Sequence, residues 1–536
     1  MNDLINTTST WSPLRIPVFR MLWVATLVSN IGTWMHDIGA SWLMTTLSPT
    51  PIMVAMIQTA TTLPIFLLAM PAGALADIVD RRSYLIVVQL WLALVAGLLG
   101  FMTLSGITSA WTLIALTFAM GIGTAMMMPA WAAMTPELVP RTELQSAIAL
   151  NSLGINMART IGPALAGIIV SFAGTGPVFI LNAFSYLLVI LALARWQREV
   201  PISELPNERF FSALRSGFRF ARHAPDLQAA IIRGFGFFLF ASASWALLPL
   251  LVKSMTIGGP ETFGILVASI GAGAVIGALV LPKLRKKISR DMLVALAAVV
   301  YASTMFALAI FDQLIFLCLA MSVSGIAWIT VLSSLQVTAQ MALPNWVRSR
   351  GLAVFMAVFM GSMALGSLLW GKVAEMTSIS TSLMLAAIGT LVAVLVTWRW
   401  HIGDVDDVDL TPSMHWPTPL VHESVSHDRG PVLITIQYTV RNDKTSEFLT
   451  KIRELSKRRR RDGAFAWGVF EHTEKPHHFI ESFCVDSWIE HLRQHERVTH
   501  ADRDLQTEIH TLLVSGSEPI VTHYVAPKFT AAKTKR

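Results

Sequence analysis

From about residue 18 to residue 400, long apolar runs alternate with short connections, and the arginines and lysines fall almost wholly in every second connection. A helix needs about 20 apolar residues to cross a bilayer core, and cationic loops stay on the cytoplasmic side. The pattern therefore counts and orients the crossings together. The charged connections hold Arg15 and Arg20, Arg81 and Arg82, Arg141, Arg195 through Arg222, Lys283 through Arg290, Arg348 with Arg350, and Arg399. Nearly neutral turns lie between them, such as Ser48-Pro49-Thr50-Pro51 and Gly174-Thr175-Gly176-Pro177. Twelve spans are expected, near 19–46, 51–76, 83–104, 109–134, 143–172, 177–196, 227–253, 261–284, 290–311, 313–341, 346–375 and 379–400. An even count puts both ends in the cytoplasm.

Composition agrees with lipid as the solvent. Only 14% of residues are charged and the mean hydropathy is +0.57, whereas soluble domains carry about 25% charged residues. The net charge of +7 follows from cationic loops and gives no reason to expect nucleic acid. Two cysteines, Cys318 and Cys484, exclude a disulfide framework and lack CxxC neighbours. Residues 1–18 are largely polar, with Pro13 and Pro17, so the first apolar run is expected to act as an uncleaved anchor.

The spans repeat. Gly73-Ala74-Leu75 recurs as Gly277-Ala278-Leu279, and the same offset of 204 residues carries Gly121 to Gly325, Pro140 to Pro344, Gly162 to Gly366 and Gly167 to Gly371. One gap-free offset at several separate places implies duplication, here a bundle over 19–196 and another over 227–400. Six-plus-six parallel repeats with a site between the halves are a transporter plan. The polar stretch 197–226 joins them. Its Phe210, Phe211, Arg215, Phe218, Arg219 and Arg222 have helical spacing, which predicts an amphipathic helix on the inner leaflet.

Beyond Trp400 the composition changes. Residues 401–430 are acidic and proline-bearing and read as a linker. A strand is expected over Val432–Val440, a helix over Thr445–Arg460, strands over Ala464–Glu471 and Phe479–Val485, a helix over Asp486–Val514 and a strand over Pro519–Val525. That β-α-β-β-α-β order predicts a cytoplasmic ferredoxin-like α+β domain over 431–526, followed by a basic tail, 527–536.

Gly73-Ala74-Leu75-Ala76-Asp77-Ile78-Val79-Asp80-Arg81-Arg82 resembles the loop motif of the major facilitator superfamily, Gly-x-Leu-x-Asp-Arg-x-Gly-Arg-Arg. The resemblance implies that Asp77 latches the cytoplasmic ends of the two bundles and that Arg81 and Arg82 anchor the loop; Gly73 lets helices approach. Ile78 and Asp80 depart from the motif, and Leu281 stands at the Asp position of the second half. Arg159-Thr160-Ile161-Gly162-Pro163-Ala164-Leu165-Ala166-Gly167 resembles the Gly-Pro antiporter motif of the superfamily's exporters. Pro163 removes a helical N–H and bends the helix, while Gly162 and Gly167 permit close packing. The arginine of a further motif is missing from span four, so its proton-coupling role does not carry over.

Charge deep in a membrane is costly unless paired or hydrated. Asp37 lies about 27 Å along span one and Arg159 about 24 Å along span five, at ~1.5 Å per residue. The repeat maps them to Ala241 and Met363, so the shared fold requires neither. Two readings stand: both line a central cavity, handling a proton or substrate, or they form a fixed ion pair. Asn30, Trp34, Gln58, Asn156 and Gln336 are further cavity candidates, or else helix-packing residues. His36 faces another side of its helix.

In the tail, His491 and His495 stand at i, i+4, a zinc-ligand spacing, but no third ligand is placed and the run Asp486–Arg497 looks like a solvated amphipathic helix; no metal site is assigned. Lys457-Arg458-Arg459-Arg460-Arg461 ends a helix, where it can offset the dipole or touch anionic lipid.

Together with Glu137-Leu138-Val139-Pro140-Arg141, Asn151-Ser152, Ser487-Trp488 and His491-Leu492-Arg493, these features make the whole chain resemble the bacterial transmembrane secretion effector family, the enterobactin-exporter-like branch of the superfamily. The resemblance implies an inner-membrane, proton-coupled exporter of siderophore- or drug-like molecules, without a cofactor. The tail resembles dimeric α/β-barrel domains of the antibiotic-monooxygenase type. It is expected to dimerise or regulate; the alternative is an enzyme acting on the exported compound, although no cofactor fingerprint or acid–base set is visible there.

Overall fold

The computed structural model describes residues 11–196, 210–255, 258–344, 346–403, 413, 415–416 and 429–527. Six long helices form the first half: α1 (Pro17–Leu47), α2 (Pro51–Ile78), α3 (Arg81–Leu104), α4 (Ala110–Leu138), α5 (Leu144–Ala173) and α6 (Gly176–Arg195). After α7 (Phe210–His223) come α8 (Pro225–Ser254), α9 (Pro260–Arg285), α10 (Arg290–Ile310), α11 (Leu314–Met341), α12 (Arg348–Met376) and α13 (Ile379–Thr397). The turns between them hold the stop and start signals. Proline occupies the first turn of α1, α2, α6 and α9, where its missing N–H costs nothing. Asp80, Ser109, Ser289 and Ser378 cap α3, α4, α10 and α13.

Eleven of these helices are long and apolar enough to cross a membrane by length and composition. The twelfth, α1, has the length, but Arg20 and Asp37 dilute it. Large apolar side chains face outward: Leu94 and Phe101 on α3, Phe184 and Leu191 on α6, and Leu279 on α9 are exposed. That is inverted relative to a water-soluble protein and suits a lipid surround. The duplication is visible in packing, since α3 rests on α6 as α10 rests on α13.

The chain divides into two compact units. The first holds the described helical spans of both halves. The second gathers 209–228, 338–352 and 404–536, joining three stretches distant in sequence. Within it, β1 (Val432–Thr439), α14 (Thr445–Arg461), β2 (Phe465–Glu471), β3 (His478–Val485), α15 (Trp488–Arg497), α16 (His500–Thr511) and β4 (Ile520–Val525) form an antiparallel sheet in the order β2-β3-β1-β4. This is a small α+β domain. Alternate residues of β1 and β3 face its core, where Ile434, Tyr438, Phe448, Ile452, Phe483 and Leu505 are buried. The single helix expected over Asp486–Val514 is two helices. Val498 leaves the helical region, and Thr499 starts α16 with a capping box closed by Asp502.

Two further expectations are corrected in this unit. Phe220 of α7 is buried against Trp346, with ring centroids 5.9 Å apart, and Arg461 lies 5.4 Å from its ring. Arg219 approaches Glu490 at 3.7 Å. Protein, not lipid, therefore covers that face of α7, although Phe218 is exposed. The basic run closing α14 is likewise turned inward. Arg459 pairs with the fully buried Glu481 at 3.4 Å, and Arg461 with Asp502 at 2.9 Å. The acidic linker residues Asp404, Asp406, Asp407 and Asp409 lie outside the described residues.

Candidate functional site

The candidate site builds up from α1. Trp34 and Asp37 are three residues apart and share a face. Gly162 on α5 sits beside Trp34: a Cβ there would lie 2.6 Å from Trp34 Cβ and 3.0 Å from the Ile31 carbonyl. The missing side chain thus brings α5 against α1. It also carries Arg159 to the Trp34 ring, 5.6 Å from its centroid, a cation–π distance. Among the described residues no ion pair joins Arg159 to Asp37, and the Arg159 Nε is buried without a hydrogen-bond partner. The fixed pair weighed above is not formed. Asp37 itself is half-buried. Nearby, the Tyr186 hydroxyl meets Thr33 Oγ1 at 3.0 Å and Asn182 Nδ2 at 3.4 Å, within electrostatic reach of Asp37.

The second half contributes rings. Trp245 of α8 lies 6.4 Å from Trp34 and 5.6 Å from Trp328. Behind Trp328, Phe237, Phe238, Tyr301 and Phe359 pack at centroid distances of 4.2 to 6.3 Å. An aromatic chain therefore runs from Arg159 across the boundary between the halves. Trp245 and Trp328 were not singled out in the sequence, because 17 tryptophans leave no way to tell site rings from packing rings.

The Gly-Pro motif lies on that boundary. A Cβ on Gly167 would lie 2.8 Å from the Pro260 carbonyl, and one on Gly264 would strike the carbonyl of Pro163. α5 and α9 thus touch backbone to backbone. At the same end, Trp42 stacks on Phe263 at 6.1 Å, the Lys253 ammonium donates to the Thr45 carbonyl, and Leu250 joins a core cluster with Met44, Val54 and Phe179. These contacts close the bundle at the ends of α1 and α8.

Other expected residues have local roles. Arg81 pairs with Glu137 at 2.5 Å, tying α3 to α4. Arg82 donates to the Leu193 and Ala194 carbonyls at 2.8 and 2.6 Å, capping the C-terminus of α6. Asp80, which replaces the motif glycine, caps α3 through Ser83 N at 2.9 Å. Asp77 closes α2, and its side chain lies outside the described residues. Among the described residues, Pro129 Cβ lies 4.0 Å from a Cβ built on Gly73. Asn156 Nδ2 donates to the Ser152 carbonyl of its own helix at 2.8 Å. Asn30, Gln58 and Gln336 are half-buried. His36 is buried against Phe179 with neither ring nitrogen hydrogen-bonded. Arg233, marked by no motif in the sequence, is buried in the second half, pairs with Asp291 at 2.8 Å and lies over Trp398.

A family model described as transmembrane secretion effector matches residues 8–531. The chain belongs to that family. Among its relatives, the staphyloferrin A transporter of Staphylococcus aureus is 25% identical over 373 residues, covering 68% of this chain and 92% of that protein. The enterobactin exporter EntS of Salmonella choleraesuis is 26% identical over 323 residues, or 60% of this chain and 76% of that one. Solved structures place the fold. The nucleoside transporter NupG superposes with a TM-score of 0.52 at 15% identity over 72% of this chain and 98% of that one. A bacterial homologue of the lysosomal transporter Spinster gives 0.53 at 13% identity over 73% and 96%. This secretion effector relative is therefore a multi-pass membrane transporter with a major facilitator fold.

In the α+β domain, α15 is not a solvated helix: His491 and Gln494 are buried. Burial lowers the His491 imidazole to about 3, with His523 and His495 adding to the effect. It lowers His495 to about 4 and His523 in the same direction. Burial thus biases all three imidazoles toward the neutral form.

Proposed function

We propose that the protein exports small amphipathic molecules, siderophore- or drug-like, across the bacterial inner membrane by alternating access, with protons as counter-ion. One observation carries the reading: Arg159, unpaired with Asp37, lies on Trp34 where the two halves meet through Trp245. Asp37 exchanges the proton. Arg159 and the ring chain hold the aromatic and anionic parts of the cargo, a combination suited to catecholate or carboxylate chelators. The names of the siderophore-handling relatives support this substrate class.

In this reading both termini and the α+β domain are cytoplasmic, and the contacts at the ends of α1 and α8 form the closed outer gate, with Asp77 latching the inner side in the opposite state. The domain serves assembly: Leu433, Ile520 and Tyr524 are exposed on one face of its sheet, an apolar face suited to a second copy. Transport into inverted vesicles under an imposed pH gradient tests the scheme. Wild-type uptake should require an acidic interior, and Asp37→Asn should lose the gradient dependence. Uptake by Asp37→Asn that still follows the gradient would remove Asp37 from the coupling.

A further inference from the structure

The α+β domain brings together three imidazoles that transport does not use. His491 and His495 project from one face of α15 by their i, i+4 spacing, with Nε2 atoms 3.3 Å apart. His523 reaches the same point from β4, its ring 4.6 Å from that of His491. One ligand nitrogen from each residue lies within 4.8 Å of the others. We propose that His491, His495 and His523 bind one divalent first-row transition cation, with a fourth coordination position left open.

The geometry supports this on three counts. Tetrahedral zinc with Zn–N bonds near 2.0–2.1 Å separates its nitrogens by about 3.3–3.4 Å, the spacing already held by the two helix residues. His523 needs to close by roughly 1.5 Å to complete the set; it is half-buried on β4, which among the described residues pairs only with β1 at the edge of the sheet. Gln494 Oε1 and His491 Nδ1, three residues apart on α15, are both buried without a partner. An oxygen accepting from Nδ1–H would fix the tautomer that leaves Nε2 free for a metal. An all-imidazole set selects zinc, copper, nickel or iron over calcium and magnesium.

Arg459, whose charge also reaches His491 and His495, is paired with Glu481 at 3.4 Å, which offsets its repulsion of a cation. Three protein ligands leave a position for water or for an oxygen donor of a small molecule, as open zinc sites do. The competing explanation is a plain imidazole–imidazole hydrogen bond between His491 and His495, in which His523 takes no part.

The test uses the untagged full chain in detergent, stripped with chelator and titrated with zinc chloride by calorimetry, with cobalt(II) absorbance as a second readout. One zinc per chain is expected. His523→Ala should weaken it about tenfold or more and remove the intense visible bands of tetrahedral cobalt, while His478→Ala, a half-buried imidazole at the start of β3, should change neither. His523→Ala lies on the sheet edge, and its thermal unfolding checks that the domain remains folded. Absence of stoichiometric zinc binding in the wild type, or a folded His523→Ala that binds as tightly as wild type, would overturn the proposal.

Discussion

The two halves of the membrane unit share a fold but not a chemistry. The first carries Asp37 and Arg159; at the equivalent positions the second carries Ala241 and Met363, both buried. In place of charge the second half presents Trp245, Trp328 and the rings behind them. Duplication supplies two equal scaffolds, and divergence makes one polar and the other aromatic. A cargo with an anionic or catechol-like end and an apolar body would find a surface for each on opposite sides of one boundary. The difference teaches that residues unmatched by the repeat are those the scaffold does not need, which is why they are the functional candidates.

The largest effect should come from moving the charge between halves. Asp37→Asn is expected to lower gradient-driven uptake in inverted vesicles by roughly tenfold or more, and adding Ala241→Asp should not restore it. Restoration would mean that the halves are interchangeable. Next, Asp291→Asn leaves Arg233 buried without its counter-charge in the second half. Detergent-solubilised protein should lose about 3 kcal/mol against denaturant, and Arg233→Leu in the same chain should recover much of that loss. A change at Arg159 should cost less stability, since among the described residues Arg159 has no ion pair to break.

Between the halves, Gly264→Ala forces α9 away from the Pro163 carbonyl and should cost about 1–3 kcal/mol. Gly73→Ala, whose added Cβ would meet Pro129 only at ordinary contact distance among the described residues, should stay within about 0.5 kcal/mol of wild type. Equal tolerance at both would show that the boundary is loosely packed. The smallest effect lies in the α+β domain. Burial alone would raise the Asp502 carboxyl, but Arg461, the Thr499 hydrogen bonds and Arg458 outweigh it and hold the group below its ordinary value. Its folded-state affinity for protons is thus the weaker one. Its stabilisation is complete above the unfolded value of about 3.9 and is lost as pH falls through the lower folded value. Asp502→Asn should flatten the acid limb of the domain's stability profile, measured by circular dichroism.

Some of this was legible in the chain and some was not. The helix ends fall within four residues of the expected spans because prolines, capping hydroxyls and loop charges mark them locally. Asp37 and Arg159 stood out because charge in an apolar run is rare and the repeat left them unmatched. Arg82 on the α6 carbonyls and Arg81 on Glu137 could be given a class of role, anchoring a loop, but not a partner. His523 was hidden altogether: it lies 32 positions beyond His491, past the whole of α16, and nothing in its strand marks it as a ligand.

The sequence by itself determined the solvent, the number of long helices, the duplication and the α+β character of the tail, since each follows from periodicity and from the cost of charge or unpaired backbone in lipid. Tertiary structure alone decided which glycines carry helix contacts, that Arg159 settles on Trp34 rather than Asp37, and that α7 and residues 338–352 share a compact unit with the tail. Those outcomes depend on distances between residues far apart along the chain. Side-chain packing sets such distances, and no local pattern encodes them.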